Sequence, residues 1–310
     1  MSEKEAFLKT GLNENGGVGA VKNLGEPTAS ADPAAEKNDS DRLLSPSSAE
    51  PATELTNSDQ PDTTLSASDG AAGADASSQT AVPAETEPLA PGDEKENRQP
   101  VEVGLPAGAA DQAYVALTFD DGPSSTQTPR VLDILKKYNI KAVFCMVGKR
   151  IQGQEEIVKR MVDEGHLLCN HSWDHRRFTD LTKEEVEADI KRTEAALHAA
   201  TGYSSAFFRP PYGSYDESTL ATVPRPFLMW SVDTLDWKSK NTKDILAETQ
   251  QSLHPGAIIL LHDIHETTAD ALEPLIQHIQ QQGYSFIRAD RLLTADGQPL
   301  QDGQTYSQQP

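Results

Sequence analysis

Between residues 114 and 293 the apolar positions follow two alternating rhythms. One is a short continuous run and the other a helical stripe. The first run, 114–119, reads as a buried strand, and Gly122-Pro123 breaks it into a turn. A helix is predicted over 128–138, with Val131, Ile134, Leu135 and Tyr138 on one face. A strand over 142–147 follows, then a helix over 155–164 that stops at Gly165, then a strand over 166–170. Thr182 and Glu185 form a capping box that opens a long helix ending at Gly202. Further strands are expected at 206–208, 227–232, 257–261 and 284–287, with helices near 242–253 and 268–282. Leu292 and Leu293 belong to a short terminal helix.

Strands that are apolar on both faces and alternate with helices indicate a parallel sheet covered by helices. About seven such units suit an α/β fold of the distorted (β/α) barrel type better than a flat doubly wound sheet. The polar motifs have a placement in common. Asp120 and Asp121, His171 and His175, Arg209, Asp233 and Asp236, and His262 all fall at the C-terminal ends of different predicted strands. Those ends converge on one face of a barrel, so a single site is expected there. If the strand alternation persists to its tip, Asp120 and Asp121 point to opposite sides and have different tasks.

Composition divides the chain. Residues 1–111 hold 21 acidic and 7 basic residues and a single aromatic, Phe7, whereas the remainder holds 27 and 20. The Ala-, Ser-, Pro- and Asp/Glu-rich start cannot bury enough apolar surface to offset its ordering entropy. Residues 1–112 are therefore expected to be a disordered acidic tail or linker, 113–294 the folded domain, and 295–310 a second unstructured tail. The net charge of −21, with no Lys/Arg cluster in the sequence, argues against nucleic acid as partner. There is no run of 18 apolar residues to span a membrane, and Met1 is followed by S-E-K-E-A rather than an apolar leader. Cys145 and Cys169 are expected to be two small buried residues on neighbouring strands, with a disulfide as the alternative.

Two histidines spaced H-x-x-x-H can reach one ion from either a helical turn or a tight loop. With one aspartate they make three protein ligands and leave a fourth position for water, the pattern of a catalytic zinc site. Such an ion lowers the pKa of that water to about 7 and polarises a carbonyl oxygen. The second aspartate is then free to take a proton from the water, with Arg209 to hold it. His262 suits a general acid if a carboxylate raises its pKa, and Asp233, Asp236 and Asp263 are the candidates. His265 lies near the rim. His166, His198, His254 and His278 are given no role. Together these groups suit hydrolysis of a carbonyl compound.

The segments T-F-D-D-G-P at 118–123, H-S-W-D-H at 171–175, R-P-P-Y-G at 209–213, D-T-L-D-W at 233–237 and L-L-H-D at 260–263 together resemble the five motifs of the polysaccharide deacetylases. These are the NodB-homology domains of carbohydrate esterase family 4, and the motifs stand here in the family's order. The resemblance implies Asp120 as general base and Asp121, His171 and His175 as ligands of one divalent ion, usually zinc, with cobalt or nickel as substitutes. It implies that Arg209 holds Asp120, that the Tyr212 backbone N–H helps form an oxyanion hole, and that His262 is the general acid tuned by Asp236. Trp237 and Leu260 would shape the groove and acetyl pocket.

The reaction implied is removal of acetyl from N-acetylglucosamine units of a polysaccharide. The run 252–263 looks most like peptidoglycan N-acetylglucosamine deacetylases. Chitin oligomers, poly-N-acetylglucosamine and O-acetyl xylan are alternative substrates. A sugar-binding module without catalysis and a metal phosphodiesterase are readings of other classes; the latter would need more basic groups than Arg209, Lys238 and Lys240. A wall enzyme is expected at the cell surface or outside the cell, here as a monomer.

Overall fold

The computed structural model describes residues 97–109, 111–239 and 241–309. Most of the expected tail, residues 1–96, lies outside the described residues, as does Lys240. The strands are β1 (Tyr114–Asp120), β2 (Val143–Met146), β3 (Leu167–Asn170), β4 (Phe207–Phe208), β5 (Phe227–Leu228), β6 (Val232–Asp233), β7 (Ile258–His262), β8 (Ser285–Phe286) and β9 (Thr305–Tyr306). The helices are α1 (Gln127–Lys137), α2 (Glu155–Asp163), α3 (Lys183–Thr201), α4 (Glu217–Thr222), α5 (Asp236–Ser239), α6 (Thr242–Ser252), α7 (Glu266–Gln281) and α8 (Ala289–Leu293).

The strands lie parallel in the order β6-β7-β1-β2-β3-β4-β5-β9, with β8 pairing the start of β1. β5 and β6 stand towards opposite ends of that order, yet only residues 229–231 separate them in the chain. Three residues reach little more than about 14 Å from Leu228 to Val232, so the two flanks of the sheet must curl towards each other. The result is a distorted (β/α) barrel, as the alternation of elements predicts.

The period of two along β1 sorts its side chains. Val115, Leu117 and Phe119 pack outward with Val131, Leu135, Leu272 and Ile276 of the covering helices. Ala116 faces the barrel interior with Val143, Cys145, Cys169, Phe207 and Ile258. Asp120, four residues on from Ala116, therefore points inward at the C-terminal mouth. His262 occupies the register position beside it on β7.

Four expectations are corrected. The single strand over 227–232 is two strands. The carbonyls of Leu228 and Met229 turn to Arg209, which donates through Nε at 2.6 Å and Nη2 at 3.1 Å, and the Met229 N–H donates to Tyr306. The C-terminal segment is not an unstructured tail, because β9 adds to the β5 edge and Gln308 bridges to Ala257. The domain also begins before 113. The Gln99 amide donates to the His166 carbonyl at 2.7 Å and accepts the Leu168 N–H at 2.6 Å, and Arg98 pairs with Asp302. Polar side chains in these flanks reach free backbone groups at the strand starts, a signal that hydrophobic periodicity does not carry. Finally, Cys145 and Cys169 are joined in a disulfide rather than unbonded. They are register partners on β2 and β3, both pointing into the interior, with Cα atoms 4.1 Å apart.

Candidate active site

The first motif leaves its strand at Asp121. Asp120 keeps strand geometry and is buried at 3 % exposure, whereas Asp121 has φ 73°, in the left-handed region. The two carboxylates therefore diverge because the chain turns, not because strand alternation continues. Gly122 follows, in a cis bond to Pro123, and packs against the carboxylate of Asp263, so closely that any Cβ there would collide with it. Asp263 is fully buried and its Oδ2 accepts the Thr128 hydroxyl at 2.5 Å; burial pushes its carboxyl up to about 7.

Asp120 belongs to an interior ion pair. Arg209, wholly buried, donates from Nη1 to Asp120 Oδ1 at 2.6 Å and to Thr118 Oγ1 at 3.0 Å. Its remaining donors go to the Leu228 and Met229 carbonyls, so the guanidinium is satisfied around its edge. The other carboxylate oxygen, Oδ2, lies 3.7 Å from His171 Nε2.

The H-S-W-D-H segment is a tight loop rather than a helical turn. Ser172 and His175 have φ 66° and 65°. Asn170 Oδ1 accepts the Ser172 N–H at 3.0 Å, Ser172 Oγ accepts the His175 N–H at 2.8 Å, and Asp189 Oδ1 accepts the Trp173 N–H at 2.7 Å. His171 Nδ1 lies 2.7 Å from the Arg209 carbonyl, which can only accept, so Nδ1 carries the proton and Nε2 is left as a ligand atom. Asp121, His171 and His175 each offer one ligand atom, all within 4.8 Å of one another. Asp121 Oδ1 is buried without a hydrogen-bond partner, 3.3 Å from His175 Nε2 and 3.6 Å from His171 Nε2. A buried anionic oxygen facing two imidazole nitrogens fits a divalent cation of the N/O-preferring kind. Burial pushes the Asp121 carboxyl up, but His171 and His175 outweigh it and hold it below the usual range. Burial, with His171 beside it, takes His175 down to about 4, which keeps its imidazole neutral and free to coordinate.

Across the mouth, Asp236 holds His262 twice, through Oδ1 to Nδ1 and through Oδ2 to the backbone N–H, both at 2.7 Å. Thr268 donates to the same Oδ2 at 2.7 Å. Burial lowers the His262 pKa, but the Asp236 carboxylate dominates and raises it to about 9. Of the three carboxylates that the spacing left open, Asp236 is thus the partner. Asp233 instead accepts the Leu235 N–H at 2.9 Å and a hydrogen bond from the Trp237 side chain.

These groups share one cavity of about 450 Å³, lined also by Pro210, Tyr212, Gly213, Trp230, Asp233, Trp237 and Leu260. Tyr212 has φ 60° and a largely exposed ring, 4.6 Å from the His175 ring. His265 is the N-cap residue of α7, its ring 6.1 Å from that of His262. A family model described as polysaccharide deacetylase matches residues 107–225. The solved structure of T48 deacetylase with substrate is 36 % identical, with a TM-score of 0.62, over 65 % of this chain and all of that one. The chain belongs to the polysaccharide deacetylase family.

Two further members show the family's range. The peptidoglycan-N-acetylglucosamine deacetylase PgdA of Listeria monocytogenes is 42 % identical over 192 residues, 62 % of this chain and 41 % of PgdA. The chain thus spans about two-fifths of that relative's length. A family 4 acetyl xylan esterase from Clostridium thermocellum, solved with a cobalt ion, is 34 % identical, with a TM-score of 0.60, over 64 % of this chain and 99 % of that one.

Asp120, Asp121, His171, His175, Tyr212, Asp233, Trp237, Leu260 and His262 line this cavity, Arg209 and Asp236 each hold a residue that does, and Asp263 does neither but is buried against Thr128 and Gly122. Trp230 was missed. It sits in a stretch read as continuous strand, where a large apolar residue counts as core. Its place on the cavity wall follows from the break between β5 and β6, and its ring closes against Gly213, where a Cβ would stand 2.9 Å from it.

Proposed function

We propose that this chain hydrolyses the acetamide of N-acetylglucosamine residues in peptidoglycan, releasing acetate and leaving a free amine on the polymer. The observation that supports it most is the meeting, at one cavity, of the Asp121–His171–His175 cluster with two carboxylate–cation pairs, Asp120–Arg209 and Asp236–His262.

Asp121, His171 and His175 would hold one divalent ion, zinc by its preference for this donor set. Bound there, the ion would polarise the acetyl carbonyl and acidify a water. Asp120 acts as general base. Arg209 occupies its Oδ1, which leaves Oδ2, on the His171 side, to take the proton as the water oxygen bonds to the carbonyl carbon. The Tyr212 backbone N–H donates to the developing oxyanion. His262, kept protonated by Asp236, gives its proton to the amide nitrogen as the carbon–nitrogen bond breaks. Leu260 and Trp237 present apolar surface to the acetyl methyl and sugar ring.

The peptidoglycan substrate rests on the likeness to PgdA. The acetyl xylan esterase among the similar structures supports a second reading, hydrolysis of O-acetyl xylan, whose alcohol leaving group depends less on protonation by His262. A location outside the cytosol agrees with a wall substrate and with the buried Cys145–Cys169 disulfide, which persists in oxidising compartments.

The test is acetate release by zinc-loaded protein from purified peptidoglycan, chitin oligomers and acetylated xylan. Release from peptidoglycan with matching free glucosamine is the expected result. Release from xylan alone would move the substrate assignment, and release from none would end the deacetylase reading.

A further inference from the structure

The part of the chain after residue 111 is acidic, with 27 acidic against 20 basic residues, yet three exposed cations stand on segments that adjoin the ligand loop. Lys149 and Arg150 end the 3-10 turn Gly148–Arg150 after β2, and Arg177 lies in the loop after β3. Two backbone hydrogen bonds lock these segments together. The Gly148 N–H donates to the Ser172 carbonyl and the Lys149 N–H to the Trp173 carbonyl, both at 2.9 Å. The Trp173 ring seals the joint over Gly148, where a Cβ would stand 2.6 Å from it. The two basic segments are therefore fixed to the loop that carries His171 and His175.

All three cations are exposed, and among the described residues none forms an ion pair. Their neighbour Arg176 shows the contrast. It faces Asp174 at 3.1 Å, Glu185 at 3.7 Å and Asp189 at 3.9 Å. The Arg177 guanidinium lies over the Tyr212 ring at 4.9 Å, and that ring lies 4.6 Å from His175. Arg177 is thus one aromatic ring removed from the ligand cluster, and stacking restrains a side chain that solvation alone would leave free. Arg150 stands on the turn that is hydrogen-bonded to the same loop, and its charge favours the Asp121 carboxylate. Asp233 also lines the cavity, and Asp236 lies buried behind His262.

We infer that Arg150 and Arg177 receive a carboxylate carried by the glycan beside the acetylated amine under attack, so that the favoured substrate class is an anionic, carboxylate-substituted amino-sugar polymer. Planar guanidinium groups suit carboxylate recognition. Peptide-substituted wall glycans carry such groups, whereas chitin and unsubstituted xylan do not. The inference rests on the deacetylase reading and deepens it.

The experiment compares two N-acetylglucosamine oligomers of equal length, one neutral and one bearing carboxyalkyl ethers on alternate sugars. Acetate release and calorimetric binding are measured in parallel on zinc-loaded full-length protein and on Arg150→Gln/Arg177→Gln. Wild type should prefer the anionic oligomer by about tenfold in kcat/KM and in affinity at low salt, a preference that 0.5 M salt largely removes (~0.5 M, by screening). The double variant should lose that preference and keep its rate on the neutral oligomer within about twofold. Equal binding of the two oligomers by wild type, or a preference that survives in the double variant, overturns the inference. If neither oligomer releases acetate, the deacetylase reading falls, while the binding ratio still decides the carboxylate site.

Discussion

Asp236 Oδ1 lies 2.7 Å from His262 Nδ1 while its Oδ2 accepts the His262 backbone N–H at the same distance, so one buried carboxylate sets both the position and the charge of the imidazole. The pair raises the His262 pKa from 6.5 to about 9. A raised folded-state pKa contributes stability that is complete below about 6.5 and is lost as pH rises through about 9.

The same shift fixes the alkaline limb of activity. With His262 as proton donor, kcat should decline above about pH 9, the raised value. Asp236→Asn removes the charge that opposes burial, so its limb should fall to near or below the ordinary value of 6.5, with kcat at neutral pH reduced about 10²- to 10⁴-fold. A pH–rate profile of both proteins checks this; an unmoved limb in Asp236→Asn would exclude His262 as the group observed.

Asp120 and Asp121 adjoin in sequence but face different partners. Asp120→Asn should retain the divalent ion at near wild-type affinity and lose about 10²- to 10⁴-fold in kcat. His171→Ala should lose both. Equilibrium dialysis against zinc, with metal content measured independently of activity, distinguishes the two. Full metal retention by His171→Ala would overturn the ligand assignment.

Arg209 is wholly buried and makes its ion pair with a carboxylate that is itself only 3 % exposed. Arg209→Met leaves Asp120 as an uncompensated buried charge and should cost about 3–5 kcal/mol. Adding Asp120→Asn removes that charge and should restore part of the loss. Denaturant midpoints of the single and double variants measure the coupling.

Gly122 packs on the carboxylate of Asp263. Gly122→Ala should destabilise by about 1–3 kcal/mol through overpacking at a buried contact. Asp263→Ala in the same chain opens the space, so the double variant should unfold at a higher temperature than Gly122→Ala alone. Calorimetry reads this directly, and a double variant less stable than both singles would show that Asp263 is needed for more than its volume.

Much of this protein was determined by local pattern. The apolar runs of β1, β2, β3 and β7, the Thr182 capping box and the helical stripes of α1 and α2 follow from periods of two and 3.6, which neighbouring residues enforce on one another. The placement of Asp120, His171, Arg209, Asp236 and His262 near strand ends was legible for the same reason. Polar residues that interrupt an apolar run mark where the strand leaves the core.

What only the tertiary structure decided are pairings across long separations. Arg209 meets Asp120 from 89 residues away because β1 and β4 both point these side chains into one barrel. Asp236 rather than Asp233 takes His262 because the chain turns through Leu235, φ 52°, before α5. Cys145 meets Cys169 because their strands are in register, and β9 joins the sheet because β5 offers an edge. The turn carrying Lys149 and Arg150 joins the loop that leads to Arg177 through two backbone hydrogen bonds. Each of these depends on which strands lie side by side, a property of barrel closure that no window of sequence contains.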